Sequence, residues 1–86
     1  MKIAVFPGSF DPFTLAHQDI VDRGLSVFDK IYIAIGINSS KKGMMEFETR
    51  KRAIENIYQG NNHIEVCTFS GLTIAFCQQV NAQFIL

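Results

Sequence analysis

Gly8, Ser9 and His17 bring a pliable backbone, a hydroxyl and an imidazole into the run Val5-Phe6-Pro7-Gly8-Ser9-Phe10-Asp11-Pro12-Phe13-Thr14-Leu15-Ala16-His17. These groups suit an anion, above all a phosphate. A glycine lets the backbone approach a ligand closely or adopt positive φ, while Pro7 and Pro12 stiffen the loop between them. If His17 stands in the first turn of a helix, it lies beside free N–H groups and the positive end of the helix dipole, both of which favour negative charge.

The elements that would position these groups follow from hydrophobic pattern. Ile3, Ala4, Val5 and Phe6 form a short apolar run that Pro7-Gly8 ends, as a buried parallel strand over Lys2 to Phe6 would require. From Thr14, the residues Ile20, Val21, Leu25 and Phe28 share one side at helical spacing, predicting a helix over Thr14 to Phe28. Further strand-like runs at Lys30 to Ile35, Ile64 to Thr68 and Phe84 to Leu86 alternate with helical patterns at Glu48 to Tyr58 and Leu72 to Val80. Such alternation means βαβ units joined by right-handed crossovers, with helices covering a parallel sheet. Gly36, Gly43, Gly60-Asn61-Asn62 and Gly71 punctuate the boundaries, and no repeat, linker or low-complexity tract interrupts them. In doubly wound sheets ligands bind beyond the carboxyl ends of the strands. Ser9, the Ser39 to Lys41 segment and the Gly71 to Thr73 segment all follow such ends.

The first run resembles the signature of the nucleotidyltransferase superfamily of Rossmann-like adenylyl- and cytidylyltransferases, and within it the phosphopantetheine adenylyltransferase branch. Relatives acting on nicotinate mononucleotide or glycerol phosphate usually carry H-x-G-H here; this chain has Thr14 in place of the first histidine, which favours the pantetheine branch. Ala16 departs from the usual glycine beside the histidine, and a small adjustment of the nucleotide is expected. Asn38-Ser39-Ser40-Lys41-Lys42-Gly43 resembles an S-x-S-K-K loop, Glu48-Thr49-Arg50 an E-x-R segment, and Phe69-Ser70-Gly71-Leu72-Thr73 an F-x-G-L-[LTM] segment. The resemblance covers essentially the whole chain, and several motifs in order are far more specific than any one.

The resemblance implies a three-layer α/β/α, Rossmann-like doubly wound sheet with its switch point between the first and fourth strands. It implies attack of the 4′-phosphopantetheine phosphate on the α-phosphorus of ATP, giving dephospho-coenzyme A and pyrophosphate without a covalent enzyme intermediate. His17 matches the catalytic histidine that contacts the α-phosphate, and Ser9, Phe10 and His17 match ATP-binding positions. Ser9, Lys41 and Thr73 match positions that hold the acceptor. Leu72 could line the pantetheine arm or simply fill core. Asp11 could influence His17 or a metal, although a short Asx-type turn explains it more simply. His63 reads as an exposed turn residue. Mg²⁺ is expected to arrive with ATP rather than in a protein cage. The branch commonly assembles as hexamers, so a homo-oligomer is expected at full length. Members continue past the fourth strand into an R-G-x-R segment and further elements, so residues 1–86 read as the N-terminal part of one domain, truncated after the fourth strand. On that reading the chain alone is a catalytically silent phosphate-binding fragment. The alternative at full length is another superfamily member, a nicotinate mononucleotide adenylyltransferase or a cytidylyltransferase.

Composition narrows the field further. Eight basic and eight acidic residues leave no formal net charge, and 48% of residues are hydrophobic. This pattern suits a globular domain and disfavours nucleic acid or an anionic membrane as partner, since either asks for a basic face. The clustered Lys42, Lys51 and Arg52 read as a solvated face. No signal peptide or ~20-residue apolar span is evident, so a cytoplasmic location is expected. Cys67 and Cys77 lack metal-ligand spacing and read as small structural thiols. Neither a Walker A loop nor G-x-G-x-x-G is present, which disfavours a kinase or a dehydrogenase.

Overall fold

Parallel strands need a crossover, and its right-handedness decides which sheet face the intervening helix covers. The computed structural model describes residues 1–37 and 44–86, with the backbone alone for 44–46. Along the chain run β1 (Ile3–Gly8), α1 (Leu15–Gly24), β2 (Lys30–Gly36), α2 (Met44–Ile57), β3 (Ile64–Phe69), α3 (Thr73–Gln79) and β4 (Phe84–Ile85). All neighbouring strands pair in parallel, in the order β3-β2-β1-β4. The steps from β1 to β2 and on to β3 run the same way, so α1 and α2 share a face. The step from β3 back across the sheet to β4 runs the other way and puts α3 on the opposite face.

The core divides along those layers. On one face Ala4, Phe6, Ile31, Ile33 and Ile35 pack with Val21 of α1 and with Phe47 and Ile54 of α2. On the other, Val5 and Ala34 pack with Cys77 of α3. This is the expected three-layer, doubly wound architecture, with its strand order reversing between β1 and β4. No helix among the described residues is long and apolar enough to cross a membrane.

Three boundaries differ from the sequence expectation by two residues or more, the others by one at most. Pro7-Gly8 does not end β1: the β2 ladder continues through Pro7↔Ala34 and Gly8↔Ile35. The carbonyls of Ile3 and Val5 accept from Gln83 and Leu86 on the β4 side, so the odd residues of β1 face β4. The N–H that Pro7 lacks would therefore have pointed toward β4, where pairing stops at Val5↔Ile85, and the β2 side loses nothing. Helix α1 ends at Gly24, not Phe28, as the Ser26 hydroxyl donates to the Arg23 carbonyl at 2.7 Å and the chain turns. Ile20, expected on the buried stripe, is 42% exposed, whereas Val21 is fully buried. Helix α2 begins at Met44, before the Glu48 expected from its motif.

Tyr58, just past α2, sets its ring edge-on to Phe13 at 6.1 Å. Its hydroxyl is buried with no hydrogen-bond partner among the described residues. Burial, helped by the Asp22 carboxylate, pushes the phenol up to about 12. A phenol raised above its unfolded value of ~10 contributes stability fully below that pH and loses it as pH rises toward 12. Denaturant midpoints between pH 9 and pH 12 should therefore fall more steeply for the wild type than for Tyr58→Phe. The substitution itself should be neutral or stabilising at pH 7, since it removes an unsatisfied buried oxygen. Parallel pH curves for the two proteins would refute the desolvated phenol.

Candidate functional site

Because all four strands are parallel, the carboxyl ends of β1, β2 and β3 lie on one rim of the sheet, where the loops after β1 and β3 open. The β1–α1 loop is built around aromatic packing. The Phe10 ring meets Phe6 at 5.1 Å, Phe13 at 5.2 Å and the His17 ring edge-on at 5.1 Å. Phe13 lies 5.3 Å from the His17 ring, so the three rings form a near-equilateral triangle. The imidazole is thus one member of a packed cluster of rings.

Gly8 owes its identity to this packing. An added Cβ would sit 2.9 Å from Phe10 Cζ and 3.0 Å from Cε1, so the close approach is made by a protein ring. Positive φ, the other expected use of Gly8, occurs instead at Phe10, at +49°, and at Gly60 and Gly71.

Thr14 and His17 cap α1 reciprocally. The Thr14 hydroxyl oxygen accepts the His17 backbone N–H at 3.3 Å, and the Thr14 backbone N–H donates to His17 Nδ1 at 2.9 Å. The imidazole takes the place that Glu or Gln holds in a capping box. Nδ1 also lies 3.1 Å from the Thr14 hydroxyl oxygen. A ring nitrogen that accepts from a backbone N–H carries no proton, so the network assigns the Nε2–H tautomer. Nε2–H remains as the ring's donor, in the first turn of a helix. The three-residue spacing of Thr14 and His17 carries this signal in sequence once histidine is admitted to the capping pattern.

Ser9 is exposed at the end of β1, and its backbone carbonyl accepts from Arg50 Nη1 of α2 at 2.7 Å. Arg50 was legible only as part of a motif; its contact with the loop was not. Phe10 is 3% exposed, with its ring in the core. Ser9, Phe10 and His17 are thereby brought into one loop cluster. Thr73 opens α3 on the same rim, after β3, half-buried and two strand spacings, roughly 10 Å, from β1. No contact joins it to the cluster among the described residues. Leu72 precedes it at 76% exposure, so it is not core. Lys41, with the rest of the Asn38 to Gly43 loop, lies outside the described residues.

Other titratable groups lie apart from this cluster. Asp11 is exposed in the turn with Pro12. His63 accompanies the start of β3, at the opposite end of the sheet, with Nδ1 2.9 Å from the Asp29 carbonyl oxygen. Burial, with Glu65 adding to it, pushes the half-buried Cys67 thiol up to about 11, against reactivity at neutral pH. Among the described residues no three His, Cys, Asp or Glu side chains are placed to hold a metal ion. A groove of about 260 Å³ between the loop and α2 is lined by Phe10, Pro12, Phe13 and Ile57, with Asp11 and Arg50 as the charged groups of its lining.

The chain matches the cytidylyltransferase-like family model over residues 5–86. It belongs to that family. Among similar proteins is the phosphopantetheine adenylyltransferase of Christiangramia forsetii, 54% identical over 86 residues, which are all of this chain and 57% of that relative. Proteins of the same name from Flavobacterium johnsoniae and Bacteroides thetaiotaomicron are 50% and 48% identical over the same span, again 57% of their length. The chain thus spans just over half the length of these relatives.

Proposed function

We propose that this chain is the N-terminal portion of a phosphopantetheine adenylyltransferase domain. In the full-length protein, ATP and 4′-phosphopantetheine meet at the carboxyl rim of the sheet. An acceptor phosphate oxygen attacks the α-phosphorus, the bond to the bridging oxygen of the β-phosphate breaks, and pyrophosphate leaves with the electron pair. Little covalent work falls to the protein, so positioning and charge stabilisation supply the catalysis. The observation that carries this reading is the capped His17, whose Nε2–H has no partner among the described residues and can donate to a phosphate oxygen at a helix start. The names of relatives about half identical along the whole chain support the choice of acceptor.

Ser9 would contact phosphate through its hydroxyl, Phe10 the nucleotide through its backbone, and Thr73 the pantetheine arm. Lys41 would hold the acceptor phosphate as a compact point charge. Mg²⁺ would enter on the phosphates of ATP, whose hard oxygens are its ordinary ligands, and neutralise charge there. A cytoplasmic homo-oligomer without nucleic-acid or membrane partners completes the proposal.

Turnover of phosphopantetheine and of nicotinate mononucleotide by the full-length protein, measured side by side with ATP, tests the acceptor. Preference for phosphopantetheine is expected. Preference for the mononucleotide, or use of CTP in place of ATP, would overturn the assignment.

A further inference from the structure

We propose that Arg50 is a positioning residue whose grip on the Ser9 carbonyl aims the Phe10 backbone N–H at the nucleotide phosphate. The inference rests on reading the β1–α1 loop as a nucleotide cradle. Arg50 Nη1 reaches the Ser9 carbonyl oxygen at 2.7 Å across 41 residues of sequence, and its guanidinium carbon lies 4.4 Å from the centre of the Phe47 ring. Phe47 is itself 5% exposed, so the guanidinium rests on a core residue rather than on a mobile one.

The Ser9–Phe10 peptide is planar and trans, so its carbonyl and its N–H point in opposite directions. Turning the carbonyl toward α2 turns the Phe10 N–H away from it. Phe10 holds φ at +49°, a region that bulky residues occupy only when their surroundings dictate it. Its packed ring fixes one side of this conformation and Arg50 the other. The Phe10 N–H has no backbone acceptor among the described residues, although the residue is 3% exposed. A donor so placed calls for an acceptor, and a phosphate oxygen at the rim would supply one. Arg50 Nε, buried and without a hydrogen-bond partner among the described residues, shows that the guanidinium sits here at a cost in hydrogen bonding.

The test uses the full-length protein, with ATP as the probe, in wild-type, Arg50→Met and Arg50→Lys forms. Methionine keeps an apolar stem over Phe47 but loses the donor; lysine keeps a donor. In Arg50→Met, calorimetric affinity for ATP should fall about 10- to 100-fold, the worth of one charge-assisted hydrogen bond, with acceptor KM changed less than about 3-fold. The ATP-induced shift of the Phe10 amide in ¹H–¹⁵N spectra should disappear in that variant and return in part with lysine. Unchanged ATP affinity, or an equal rise in both KM values, overturns the proposal. Should the methionine variant not fold, the wild-type spectrum still decides: a Phe10 amide that ignores ATP sinks it. Wild-type protein that binds ATP through Phe10 yet leaves phosphopantetheine untouched would defeat the acceptor assignment and leave the role of Arg50 standing.

Discussion

Replacing His17 with alanine in the full-length protein should lower turnover on the order of 10²–10³-fold, the usual loss when one preorganised donor to a developing oxyanion is removed. The expectation follows from the tautomer. Thr14 donates its backbone N–H to Nδ1, which leaves Nε2–H to the reacting phosphate. The same substitution deletes half of the α1 cap and should cost roughly 0.5–2 kcal/mol of stability. His17→Gln separates the two effects. Its side-chain carbonyl can still accept the Thr14 N–H, so melting should stay near wild type while turnover remains low. An alanine variant within a few-fold of wild-type turnover would remove the imidazole from the mechanism.

Gly8→Ala should cost about 1–3 kcal/mol of stability through overpacking, and turnover should fall on the order of 10²-fold, as a ~1 Å misplacement of a reacting group can cause. The added methyl would meet the Phe10 ring at 2.9 to 3.3 Å. That ring is 3% exposed and braced edge-on against Phe6 and His17, so it gives way only by disturbing these contacts. Any shift it makes is passed to the imidazole. The sign of the stability change is diagnostic, because alanine within a strand is otherwise roughly 0.5–1 kcal/mol better than glycine. A variant more stable than wild type, with normal turnover, would show that the ring yields freely and that Gly8 is not constrained by it.

The alternation of strands and helices was legible in the residues themselves, because the apolar runs at Ile3 to Phe6 and Ile31 to Ile35 and the helical spacing around Val21 record burial directly. From that alternation followed a parallel sheet covered by helices, whereas the placing of α1 and α2 together against α3 needed the strand order β3-β2-β1-β4 as well. The loop motifs were equally plain, since turn chemistry is local. Pro7 misled, because a missing N–H breaks a strand only on the side it would have faced, and which side that is depends on register with β2 and β4. Ile20 misled in the same way. Helical spacing sets a stripe, but packing against the sheet decides its width.

What the order of residues determined by itself was the alternation of strands and helices, its parallel sheet, and a helix start carrying Thr14 and His17 three positions apart, all set by local periodicity and propensity. Only the tertiary structure decided why residue 8 is glycine, that Phe10 takes positive φ, and that Arg50 holds the Ser9 carbonyl. Those features depend on contacts between segments whose separation along the chain leaves no periodic trace, and they exist only once α2 has packed beside the β1–α1 loop.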